Sequence, residues 1–106
     1  MSDLISQVCD QLDASPTPRH LVKFVVGQLL GSGFSDFTNQ KSFEQPLTDG
    51  FIARSGSIVA WRLGSKKIEQ FRIIGAHTDS PCLKIKPRPD ESRFGWHTLQ
   101  VEVYGS

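Results

Sequence analysis

A histidine and an aspartate stand two residues apart in GAHTDSPCLKIKP, Gly75 to Pro87, directly after the apolar run FRIIGA. Residues i and i+2 of an extended segment project to the same side, so His77 and Asp79 would face one way and Thr78 the other. The chemistry open to such a pair is metal ligation. A metal-bound imidazole usually donates its second ring N–H to a carboxylate or carbonyl, which fixes the tautomer and strengthens the ligating nitrogen. Spacing alone has low specificity, because a His and an Asp two apart also occur as ordinary polar groups at the mouth of a loop, and that is the commoner case.

Other chemistries are weaker. Ser80 completes a Ser, His and Asp within four consecutive positions, too crowded for a through-space relay of nucleophile, base and orienting acid. The GxSxG of a nucleophile elbow is absent. Cys82 reads as a small thiol packed on a strand rather than a nucleophile. His20, inside a helical pattern, and His97, at the start of the last strand, read as structural or exposed rather than as ligands. Cys9 and Cys82 are the only cysteines and have no CxxC spacing, which excludes a zinc finger and fits a reducing compartment.

The elements that must position His77 follow from pattern. Leu4, Ile5, Val8 and Leu12 recur at helical spacing behind the capping candidates Ser2 and Asp3, and this helix should stop before Pro16. In SPTPRHLVKFVVGQLLGSG, Thr17 is placed as N-cap with Pro18 at the first helical position. Leu21, Val22, Val25, Val26, Leu29 and Leu30 form the apolar face, and Gly31 or Gly33 the stop. Residues 34–50 read as a loop anchored by Phe34, Phe37 and Phe43. Beyond it the runs FIARS, SIVAWRLG, QFRIIGA, CLKIKP and HTLQVEVY have strand length, separated by SG, GSKK, HTDSP and the polar RPDESRFGW. FRIIGA is nearly continuous in apolarity, as in a central strand covered on both faces. Ligand sites of open α/β sheets gather beyond the carboxyl ends of such strands, which is where His77 lies. Two helices followed by strands predict an α/β or α+β domain.

With 106 residues the chain has room for one modest domain. The formal net charge of +1 conceals an asymmetry: residues 1–53 sum to −3 and residues 54–106 to +4. Lys66-Lys67 is the only basic doublet, while Lys84, Lys86 and Arg88 alternate as on one solvated strand face. Aromatics are not interleaved with these bases, which argues against a nucleic-acid groove. The N-terminus has acids where a signal peptide needs bases, and no run approaches the ~20 apolar residues of a membrane span. The expectation is a cytoplasmic protein that binds neither nucleic acid nor membrane.

The string GAHTDSPCLKIKP, with SPTPRH upstream and LQVEVYG downstream, closely resembles the aspartyl aminopeptidase family of zinc metallopeptidases, and the order of these blocks matches too. All 106 residues align with the opening part of that family. The resemblance implies an α/β fold in which two N-terminal helices precede strands forming part of the mixed sheet of a zinc-exopeptidase domain, incomplete in this chain. It implies residues 1–95 as the N-terminal part of the catalytic domain and 96–106 as the start of an inserted oligomerisation domain.

It also implies an exopeptidase that removes acidic residues from peptide N-termini with two zinc ions bridged by an activated water, working as a homo-oligomer. By the same resemblance His77 looks like the first zinc ligand and Asp79 like the acid that orients it. The family's other ligands and its general-base Glu correspond to positions beyond Ser106, where this chain also departs from the usual YGG. One histidine cannot hold two zinc ions, since a catalytic zinc needs about three protein ligands. The chain alone is therefore expected to be inactive, and a non-catalytic remnant or interaction module of the family is the alternative reading. A phosphate or nucleic-acid binder using the basic second half is a third and weaker one.

Overall fold

The first helix, α1 (Ser2–Asp13), forms where the three- and four-residue spacing places it. In the computed structural model, which describes residues 2–42, 48–64 and 68–105, its apolar stripe is uncovered. Leu4, Ile5, Val8 and Leu12 are all exposed. Helix α2 (Pro18–Gly31) begins as the sequence indicates. Thr17 has extended backbone, its hydroxyl accepts from the main-chain N–H of His20, and Pro18 opens the helix. It ends in a Schellman motif: Gly33, at φ +84°, donates to the Leu30 carbonyl, and Phe34 donates to that of Leu29.

Helix α2 packs on a three-stranded sheet. Strand β1 (Ser35–Asp36) runs parallel to β2 (Gly50–Arg54), and β2 runs antiparallel to β3 (Ser57–Trp61), in the order β1-β2-β3. The sheet is therefore mixed, as expected. Strand β1 lies within the stretch read as loop, where two residues are too few to show any period. Between β2 and β3 a two-residue turn, Ser55-Gly56, has Ser55 at φ +54°, as the first central position of a type II′ turn requires.

The core is small and sits where α2 meets this sheet. Phe51 is fully buried and Val22 nearly so. Leu21, Phe24, Val25, Val26 and Leu29 are half-buried along α2. Phe37 tilts against Trp61 with ring centroids 5.3 Å apart, and a side chain at Gly50 would overlap the Phe37 ring. The Trp61 indole donates to the Thr48 carbonyl at 2.8 Å. Asp36 accepts from the Thr38 hydroxyl and main-chain N–H, which together hold its carboxyl below the ordinary value. Phe43 and Lys66-Lys67 lie outside the described residues.

Two expectations fail in the second half. FRIIGA is not a buried central strand: residues 68–81 join no ladder, and Phe71, Ile73 and Ile74 are 81%, 89% and 98% exposed. A strand exists only if neighbouring strands satisfy its N–H and C=O groups, and no described strand lies beside this run. The polar stretch RPDESRFGW is not a loop either. Strand β4 (Cys82–Arg93) continues through it and pairs with β5 (Trp96–Tyr104) in an antiparallel hairpin. The turn is Phe94-Gly95, both at positive φ, as in type I′. The register slips between Ile85 and Asp90, where Pro87 and Pro89 cannot donate to a ladder.

Leu83, Ile85, Leu99, Val101 and Val103 share one face of this ribbon and remain exposed. Lys84 pairs with Glu102 on the opposite face and sits over the Tyr104 ring. The radius of gyration is 19.2 Å, against about 13 Å for a compact chain of this length. The chain is thus a small α2–sheet core carrying uncovered apolar surface on α1, on residues 71–74 and on the β4–β5 ribbon.

Candidate metal-ligand site

His77 lies in the irregular segment that leads into β4. The segment is held at two points. The Thr78 hydroxyl donates to the Gly56 carbonyl in the β2–β3 turn at 2.7 Å. On the other side Pro81 lies against Gly105, at φ +96°, where an added Cβ would come within 2.9 Å of the Pro81 Cα. His77 stands just before the first anchor, and its ring turns to Asp79, which lies between the two, while the Thr78 hydroxyl is taken up by the β2–β3 turn.

The His77 Nδ1 atom is 2.8 Å from the main-chain oxygen of Asp79 and 3.3 Å from its carboxylate. A carbonyl oxygen can only accept, so the shorter bond requires a hydrogen on Nδ1. In the neutral ring, Nε2 then carries the free lone pair, which is the tautomer a metal ligand needs. The His77 side chain is 82% exposed and that of Asp79 43%. The nitrogen that would bind a metal is therefore reachable from solvent, and its partner is more enclosed.

The remaining candidates stay apart from it. Among the described residues no group of three or more His, Cys, Asp or Glu side chains converges on a point that could hold a metal ion. His20, in the first turn of α2, has Nδ1 2.7 Å from the hydroxyl of the N-cap Thr17. His97 stands at the start of β5 beside Ser92. Cys9 is exposed on α1, and Cys82, half-buried, begins β4 opposite Tyr104. The donor set thus fits one zinc ligand with its tautomer fixed, and does not by itself complete a zinc site.

Sequence reasoning passed over Thr78, Gly56 and Gly105. Each is a small residue whose importance arises only where two distant segments meet. The available signals were the SG pair between two strand-length runs and the glycine closing LQVEVYG.

Residues 11–106 match the family described as aminopeptidase I zinc metalloprotease (M18). The chain is 43% identical over 96 residues to the probable M18 family aminopeptidase 2 of Streptomyces coelicolor, covering 89% of this chain and 22% of that protein. It is 40% identical over 100 residues to the protein of the same name from Mycobacterium tuberculosis, covering 92% and 23%. Among solved structures, a chain in the cryo-EM structure of the Ape4 and Nbr1 complex superposes with a TM-score of 0.79 at 35% identity, over 92% of this chain and 20% of that one. The chain thus spans about a fifth of the length of the relatives it matches. A match over nearly the whole chain, with α2, the mixed sheet and the HTD segment all inside it, means that this protein belongs to the M18 family of aminopeptidase I zinc metalloproteases.

Proposed function

We propose that this chain is the N-terminal portion of a zinc-dependent aminopeptidase that removes Asp or Glu from peptide N-termini, and that it contributes one ligand, His77, to the metal centre. The observation that carries this is the His77 ring: Nδ1 is committed to Asp79, leaving Nε2 on an exposed ring next to Thr78, which is anchored on the β2–β3 turn. Asp79 holds the ring orientation through its carbonyl and adds negative charge beside it through its carboxylate. Zinc, when bound, would supply Lewis-acid activation of a water at neutral pH. The other ligands, the general base and the groups that read an acidic first residue belong in this reading to the four-fifths of an M18-length polypeptide that this chain does not span.

The same reading has two zinc ions, a cytoplasmic homo-oligomer and no nucleic-acid or membrane partner. Among the described residues no helix is long and apolar enough to cross a membrane. Residues 1–95 are then the beginning of the catalytic domain and 96–106 the entry into the inserted oligomerisation domain, with the β4–β5 turn at the border. The uncovered apolar faces on residues 71–74 and on the ribbon are what a partial catalytic domain would expose.

The test is metal content and turnover of an M18-length polypeptide carrying this segment. His77→Ala should remove zinc from one site and nearly abolish release of N-terminal Asp; unchanged metal content would refute the ligand assignment. A second reading, a non-catalytic remnant or interaction module, is favoured by the lack of a three-ligand cluster among the described residues. It predicts no turnover by the 106-residue chain with an acidic aminoacyl substrate and added zinc. Turnover that disappears in His77→Ala would reject it.

A further inference from the structure

We infer that Thr78 is the residue that positions His77, docking the HTD segment on the β2–β3 turn through its hydroxyl. Residues 68–81 have no ladder and, among the described residues, one hydrogen bond to the rest of the chain: Thr78 Oγ1 to the Gly56 carbonyl, at 2.7 Å. Thr78 is half-buried, while its neighbour His77 and the six residues before that are exposed. The acceptor is itself held in place. A Cβ on Gly56 would lie 2.9 Å from the Cβ of Pro18, so the turn rests directly against the first residue of α2.

A chain of contacts therefore runs from the start of α2 through Gly56 to Thr78, and one residue further to His77. The inward side chain of the HTD triplet sets where the outward ones stand. Threonine suits this position because its hydroxyl reaches the carbonyl while its β-branch restricts χ1. Val has the same shape and cannot donate, whereas Ser donates without the methyl.

The inference deepens the reading of His77 as a metal ligand and rests on it only for its catalytic consequence. The test compares the 106-residue chain with Thr78→Val and Thr78→Ser by NMR. The wild-type chain should show nuclear Overhauser contacts from residues 77–78 to Gly56 and Pro18. Thr78→Val should lower the docked-to-undocked ratio roughly two- to tenfold, the range for one lost hydrogen bond, while the α2 and β2–β3 amide signals stay in place. Thr78→Ser should restore the contacts. Wild-type contacts in Thr78→Val, failure of Ser to restore them, or collapse of the β2–β3 signals in the Val variant would each overturn the inference. Zinc content of the M18-length polypeptide with and without His77→Ala tests the ligand reading separately. Unchanged content there rejects that reading and leaves the Thr78 result standing.

Discussion

His77 Nδ1 lies closer to the main-chain carbonyl of Asp79, at 2.8 Å, than to its carboxylate, at 3.3 Å. The backbone therefore fixes the tautomer, and the acid contributes charge. The two roles that an HxD spacing suggests for one side chain are divided between two parts of one residue.

Asp79→Asn separates these parts. The carbonyl remains, so the ring should stay protonated on Nδ1, readable from the imidazole nitrogen signals. In the M18-length polypeptide the lost charge should still weaken zinc binding, by about tenfold, at the low end of what changes behind a metal ligand cost. Loss of the tautomer would show that the carboxylate is the principal partner.

Ile73→Asp should leave the melting temperature of the 106-residue chain within measurement error, because Ile73 is 89% exposed and surface substitutions usually stay within ±0.5 kcal/mol. It should also lower the tendency to associate, measured by light scattering, because it breaks an exposed apolar run. A clear drop in melting temperature would mean that the run is packed in solution.

Phe51→Ala should remove the cooperative transition altogether. Truncating a buried Phe costs about 3–5 kcal/mol, and Phe51 is the only large side chain that is fully buried among the described residues. Near-ultraviolet circular dichroism with denaturant would report it, and a two-state melt near wild-type would show that stability resides elsewhere.

Asp36 links stability to acid pH. Its hydrogen bonds to the Thr38 hydroxyl and N–H lower the folded-state pKa below that of the unfolded chain. The stabilisation is therefore present above the unfolded value, near pH 4, and is lost as pH falls through the folded one. Asp36→Asn should flatten the pH dependence of denaturation below about pH 4. An unchanged acid limb would assign that dependence to other carboxylates.

Much of this was legible along the chain. Both helices, the Thr17 cap, the Pro18 start and the glycine stop are local devices, satisfied by neighbours within five residues. Strands β2 and β3 with their SG turn are also local. What failed was non-local. RPDESRFGW reads as a loop because its polarity conceals strand pairing, and the alternating apolar residues of the ribbon, Leu83, Ile85, Leu99, Val101 and Val103, all lie outside it. FRIIGA looked like a core strand because its residues suit one.

The helix starts and stops, the hairpin turn at Ser55-Gly56 and the candidacy of His77 and Asp79 follow from the order of residues, since each rests on spacing and side-chain chemistry. That the carbonyl of Asp79 binds the ring, that Thr78 reaches Gly56 and that Ile73 is bare emerge only in three dimensions. All three have one cause. Hydrogen bonds and burial depend on which groups arrive from elsewhere in space, and apolarity in a sequence specifies a need for cover without supplying the surface that provides it.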